Sequence, residues 1–355
     1  MQASIKRPLI YDLSFEELEE TISSWGESSY RADQIWNGIY QSLWRSAEEF
    51  KPLPSYLRIR LDEAFEFSHL QPQQELRSKD GETVKTLFQL PDKRSIEAVM
   101  MGYAKRNTLC ISSQAGCGMG CVFCATGQMG FLRNLTSGEI VEEVLFYARW
   151  LKKQNQAVTN VVLMGMGEPF QNYEATMKAL ACLNSANGFQ LGARRFTIST
   201  VGLVPAIRRF ALEGRQYNLA VSLHAADNEL RSSMLPINKK YPLEELLAAC
   251  HEYVEKTRRR ITFEWALIQD VNDSREQATR LASMISSLLC HVNVIPLNPT
   301  HRYSGKPTTR ERARAFQSEL LQRGIPCTIR LRRGIDIQAG CGQLAIEAED
   351  SSISC

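Results

Sequence analysis

From residue 108 to about residue 300, strand-like and helix-like segments alternate, and this alternation limits the fold more than any other feature of the chain. Short β-branched runs at 108–112, 160–164, 195–200, 218–223, 261–267 and 292–296 are separated by amphipathic stretches such as 137–150, 173–184 and 243–257. Strands separated by helices must run parallel, because a helical crossover returns the chain to the same end of the sheet. Six such units fall short of the eight that close a full barrel. No reversal of strand order is visible. The expected fold class is therefore α/β: a partial (β/α)6 barrel with additions at its N-terminal side.

Those additions have their own signatures. Ser14 with Glu17 forms a capping box, and Leu18, Ile22 and Trp25 follow at helical spacing until Gly26 ends the run. Ile35, Ile39 and Leu43 suggest a second helix, and Leu57, Leu61 and Phe65 a third. Period-two patterns at 83–90 and 95–101 suggest strands. The expected organisation is a helical accessory domain over 1–67 that docks RNA, a β extension over 68–102, the barrel over 103–345 and a polar tail over 346–355. With 44% apolar residues the chain can bury a core. No run approaches the ~20 apolar residues of a membrane span, and the first 20 residues lack a signal-peptide core, so a cytoplasmic location without membrane association is expected. The net charge of +3 is nearly neutral. Arginine clusters at 194–195, 208–209, 258–260 and 330–333 fit solvated helix ends as well as they fit RNA contact.

Ten cysteines in such a chain need an explanation other than a disulfide framework. Cys182, Cys250, Cys290 and Cys327 sit in apolar patterns and read as small buried hydrophobes. Cys355 ends the polar tail. Cys117, Cys121 and Cys124 form C-x3-C-x2-C on one loop after the first barrel strand. A zinc site normally takes four protein ligands, whereas no histidine or second pair lies near. Three thiolates suit a [4Fe–4S] cluster whose fourth iron accepts an outside ligand. Other strand ends carry polar or glycine-rich turns: Gly167 and Glu168 in GMGEP, Ser199, Ser222-Leu223-His224, and Asn298. Together they would ring one mouth of the barrel, with His224 as a hydrogen-bonded orienter. Cys110 and Cys341, taken alone, look like ordinary thiols.

The cysteine motif, with Phe123 before its last member, resembles that of the radical S-adenosylmethionine superfamily, in which the open iron binds the amino and carboxylate groups of S-adenosylmethionine. The longer segments TLCISSQAGCGMGCVFCATGQMGF, GMGEP, ISTVGL, SLHA and GIDIQAGCGQL resemble the RlmN family, dual-specificity methyltransferases of adenine C2 in 23S rRNA and tRNA. The likeness covers nearly the whole chain. It implies one [4Fe–4S] cluster on Cys117, Cys121 and Cys124, two S-adenosylmethionine molecules per turnover, and an S-adenosylmethionine pocket containing Gly167, Glu168, Ser199, Ser222, Leu223, His224 and Asn298. It implies that Cys341 accepts a methyl group, that a 5′-deoxyadenosyl radical takes hydrogen from that methyl, and that the carbon radical adds to C2 of the base. Cys110 then frees the product through a transient disulfide, and Glu97 corresponds to the family's proposed base, although by its strand position it would otherwise read as an exposed carboxylate. The implied partners are 23S rRNA, tRNA and an external electron donor such as flavodoxin, and a monomer is expected.

Two features depart from the family pattern: Gly340, where alanine is commoner, and residues 298–305, which replace a more aromatic loop. Methylation at C8, as in the Cfr-type enzymes, is the nearest alternative, and Pro169 after Glu168 weighs against it. A radical enzyme acting on a small metabolite and a noncatalytic zinc-dependent RNA-binding protein are the more distant ones.

Overall fold

The computed structural model describes residues 7–300, 302–330 and 332–344; the tail expected over 346–355, with Cys355, lies outside them. Helix α1 (Phe15–Ser24) starts at the Ser14–Glu17 capping box. It ends where Gly26, at φ +80°, lets Glu27 N–H reach the Ile22 carbonyl. Helix α2 (Tyr30–Asn37) stops short of the expected Leu43. The backbone widens into a π-turn over Gly38–Ser42, and Leu43 is left-handed. Gly38 is required there, because the Trp44 and Phe50 rings lie where its Cβ would stand. Helix α3 (Ser55–Ala64) completes the unit.

An edge strand follows, β1 (Gln71–Arg77), which sequence periodicity does not reveal because QPQQELR has a single large apolar side chain, Leu76, and no alternation. Pro72 is tolerated there, beside a register shift. Strands β2 (Thr83–Gln89), β3 (Ser95–Tyr103) and β4 (Arg106–Cys110) continue the antiparallel order. The chain then makes a separate two-stranded ribbon, β5 (Gln114–Cys117) and β6 (Gly130–Asn134), with α4 (Ala125–Met129) between them.

The βα units follow: α5 (Ser137–Lys152), β7 (Asn160–Leu163), α6 (Tyr173–Asn184), β8 (Phe196–Thr200), α7 (Val204–Leu212), β9 (Asn218–Ser222), α8 (Asn228–Met234), α9 (Leu243–Thr257), β10 (Ile261–Leu267), α10 (Arg275–Ile285), β11 (Cys290–Pro296), α11 (Arg310–Gln322) and β12 (Cys327–Ile329). Among the described residues, ten strands form one sheet in the order β1-β2-β3-β4-β7-β8-β9-β10-β11-β12, parallel from β4 onward. The six expected parallel strands are present in an open α/β sheet. The short seventh, β12, carries Cys327 into the core. Cys182, Cys250 and Cys290 are buried as well.

Two joints matter for the site. Buried Glu142 on α5 accepts from the Ser68 hydroxyl and from the His69 and Leu70 amides, tying the helical unit to the barrel. After β12, residues 332–340 cross back to the first hairpin. Asp336 accepts from Lys79 N–H at 2.8 Å, Lys85 Nζ donates to the Gln338 carbonyl at 3.4 Å, and Arg333 pairs with Glu82. This strap carries the chain to Cys341.

Candidate functional site

The three-cysteine loop is built by its ribbon. Cys117 ends β5, and Gly116 at φ +71° lies so close to Gly130 O that no side chain fits. Cys124 begins α4, its N–H donating to Cys121 O, and Val122 N–H donates to Met234 O. All three cysteines line a cleft of about 1030 Å³ at the C-terminal ends of the parallel strands. Gly167, Glu168, Ser199, Ser222, His224, Asn298 and Cys341 line it too. Leu223 does not: its side chain is fully buried in the core, and only its backbone serves the site, by accepting from Arg231 Nε.

Glu168 is buried and its pKa is raised by burial to about 7. Its Oε1 accepts from Phe170 N–H at 3.0 Å and its Oε2 from Val201 N–H at 2.8 Å, with Thr200 also in reach. A carboxylate has room for about four donors, so these three leave Glu168 able to accept one more. His224 is left-handed, at φ +62°. Its Nδ1 accepts from Ala266 N–H at 2.9 Å, and burial followed by the Arg231 charge lowers its pKa to about 3. It is a neutral, fixed ring, packed edge-on against Phe123.

Sequence reasoning missed Arg231, which is fully buried. Its guanidinium donates to the carbonyls of Leu223, Val201 and Ser222 and to Asn238 Oδ1. It thereby fixes the ends of β8 and β9 from beneath. Glu264 on β10, also missed, is a buried carboxylate in the cleft wall, bonded to Asn293 Nδ2.

A second, smaller chamber adjoins the first. It contains Cys110, Tyr103, Arg330, Arg332 and Arg333, and it shares Met164, Ile295, Asn298, Leu344 and Cys341 with the cleft. Cys341 thus stands in the partition. Its loop is pinned on both sides: Ala125 N–H donates to Gly342 O, Thr126 Oγ1 to Leu344 O, and Asn298 Nδ2 to Cys341 O. A Cβ at Gly340 would lie 2.6 Å from Asn298 Nδ2 and from Gln343 Oε1, so an alanine here would require those two amide side chains to shift. Cys341 is open to the cleft, yet the surrounding protein raises its thiol to about 11, against the pull of Arg330. Burial and then the proximity of Cys341 raise Cys110 to about 12.

Glu97 lines neither chamber. The expectation of an exposed strand carboxylate is corrected: Glu97 is 4% exposed and pairs with Lys85 Nζ at 2.9 Å. It alternates with Val99 on β3, and Val99 is the register partner of Cys110, so both residues face the same side of the sheet.

No three His, Cys, Asp or Glu side chains among the described residues converge on a single-ion site. The donor chemistry of the loop nevertheless fits a cluster: three thiols line one cleft, and Cys124 and Cys117 raise the pKa of Cys121 after burial. Such a set is kept protonated unless iron neutralises it. Asn298 Oδ1 is buried with no partner and lies in the shared wall, where a ligand donor can reach it.

Comparison with known proteins accords with this arrangement. The radical SAM superfamily matches residues 111–282, and the ribosomal RNA large subunit methyltransferase N-terminal domain matches residues 10–67. The chain is 46% identical to a probable dual-specificity RNA methyltransferase RlmN of Chloroflexus aurantiacus, over 97% of this chain and 94% of that one. It is 48% identical to dual-specificity RNA methyltransferase RlmN 1 of Myxococcus xanthus, over 97% and 96%. The crystal structure of a radical SAM methyltransferase from Sphaerobacter thermophilus superposes with a TM-score of 0.93 at 49% identity, covering 95% of this chain and 99% of that one.

Proposed function

Because the chain belongs to the RlmN family of radical SAM RNA methyltransferases, we propose that it methylates C2 of an adenosine in 23S rRNA and in some tRNAs, through a methyl group carried on Cys341. The observation that carries this reading is the position of Cys341 in the wall between the three-cysteine cleft and the chamber of Cys110. A residue that receives a group from one reactant and passes it to another needs access to both.

Cys117, Cys121 and Cys124 would hold the cluster, which supplies the electron that splits S-adenosylmethionine into methionine and a 5′-deoxyadenosyl radical. The open acceptor position of Glu168 suits the methionyl ammonium, and the glycine turn at Gly167 lets backbone approach it. Cys341, as thiolate, attacks the methyl carbon of a first S-adenosylmethionine and takes the methyl group, with S-adenosylhomocysteine as the leaving group. Hydrogen abstraction from that methyl leaves a carbon radical, which can add to C2, a position that is not nucleophilic toward a sulfonium; the adduct radical would then give up one electron to the oxidised cluster. After loss of the C2 proton, Cys110 as thiolate attacks the Cys341 sulfur: the S–S bond forms, the S–CH2 bond breaks with its electron pair passing to the base, and protonation of that carbon completes the methyl group, leaving a disulfide for an external reductant to reopen. Glu97, on the sheet face of Cys110 and buried with Lys85, is assigned the C2 proton. An external donor such as flavodoxin would supply electrons to a monomeric, cytoplasmic enzyme.

The test is anaerobic incubation of reconstituted protein with labelled S-adenosylmethionine and unmodified rRNA or tRNA, followed by nucleoside analysis. Label in 2-methyladenosine is expected. Label in 8-methyladenosine, or none in RNA, overturns the reading.

A further inference from the structure

Charge is divided unevenly along the chain. Residues 1–67 carry seven Lys and Arg against twelve Asp and Glu, whereas residues 68–344 carry 35 against 24. The field that draws a polyanion is therefore supplied mainly by the barrel. Within the barrel, one basic group stands at the chamber that holds Cys110 and Cys341. Tyr103, at the turn between β3 and β4, has the Arg106 guanidinium 4.2 Å and the Arg333 guanidinium 4.3 Å from its ring centroid. Two cations that close to one ring repel each other least on opposite faces. Tyr103 and Arg333 line the chamber, with Arg330 and Arg332 beside them. Glu82 pairs with Arg333, which also donates to Gly102 O, so Arg333 is held in place. Arg106 is exposed, and its neighbour Lys105 is exposed too.

We propose that this Arg106–Tyr103–Arg333 stack is a phosphate clamp at the mouth of the second chamber, gripping the RNA backbone beside the nucleotide whose base enters toward Cys341. The assignment rests on the RNA methyltransferase reading and adds where the strand lies. A flipped base must be followed by its sugar and phosphates, and the energy of extrusion is recovered through contacts to that backbone. A fixed guanidinium (Arg333) braces the ring, and the ring orients a mobile one (Arg106) toward solvent. Arg332, on the same rim, extends the basic track.

The experiment is binding of an RNA hairpin with an unpaired loop adenosine to the intact chain, measured by titration at several salt concentrations. Arg106→Ala is expected to weaken binding about tenfold at low salt and to lower the slope of log Kd against log salt by about 0.7–0.9. Arg106→Lys should restore most of the slope, because it keeps the charge. Arg280→Ala, an equal change of charge on outer helix α10, should do neither. Equal weakening by the Arg280 and Arg106 variants would mean that only the overall field matters, and an Arg106→Ala slope equal to the parent's would remove the phosphate contact; either result overturns the clamp. Failure of the parent chain itself to bind or methylate RNA would instead refute the reading on which the clamp rests.

Discussion

Arg231→Lys tests how the site is held from beneath. The arginine bonds four acceptors, three of them backbone carbonyls at the ends of β8 and β9. Its pKa is lowered by burial to about 10, so it is charged at neutral pH. A lysine keeps the charge but brings three donors from one point, and no single position reaches acceptors placed around a planar fork. If two of the four bonds are lost, two buried oxygens go unpaired at about 1–3 kcal/mol each, for a total of roughly 2–6 kcal/mol. Set against an unfolding entropy near 2.1 cal/mol/K per residue, this lowers the melting temperature of a 355-residue chain by about 3–8 °C. Val201 N–H is also a partner of Glu168, so the KM for S-adenosylmethionine should rise with the loss of stability. Calorimetry with and without S-adenosylmethionine, together with cleavage kinetics, measures both. A melting temperature within 1 °C of the parent, or an unchanged KM, would refute the claim that Arg231 positions these loops.

Two further outcomes are expected. Glu139 at the start of α5 is opposed by burial, yet the His69 ion pair, a two-pronged Arg133 contact and the Thr136 N–H hold its pKa down to about 2. A depressed carboxylate stabilises the fold above its unfolded pKa and loses that contribution as pH falls through the folded value. Roughly 3 kcal/mol should therefore disappear between about pH 4.5 and pH 2; Glu139→Gln should flatten urea midpoints across that window, and an unflattened profile would place the acid sensitivity elsewhere. Cys110→Ala should accumulate a covalent protein–RNA species on denaturing gels, with mass spectrometry placing the link at Cys341; unmodified free RNA would argue against resolution by Cys110.

What sequence reveals here follows the range of the interaction. The capping box at Ser14 and the C-x3-C-x2-C loop are settled within a few residues, and both are legible. The parallel strands are legible because their short β-branched runs alternate with amphipathic helical stretches. Cys110 and Cys341 are 231 positions apart, and neither has a local signature, so only resemblance to a family singles them out. Arg231 and Glu264 sit in unremarkable helix and strand patterns; their importance comes from four carbonyls and a cleft wall assembled by other segments. Leu223, between Ser222 and His224 and just past the end of β9, has its side chain in the core, so only its backbone is available to the cleft. Glu97 reads as exposed from its polar character, and the Lys85 partner that lets it be buried lies on the neighbouring strand.

The strap from β12 to the first hairpin gives the molecule a modular boundary. The residues proposed to hold the cluster and S-adenosylmethionine lie on the sheet and the cysteine ribbon, whereas the sulfur proposed to carry the methyl group, that of Cys341, lies on the segment that ties the far edge of that sheet back to its beginning. A chain nicked within the strap would keep its ignition chemistry and have nothing to hand over. Conversely, grafting such a strap across another open barrel would be a direct route from a hydrogen-abstracting enzyme to one that builds carbon–carbon bonds.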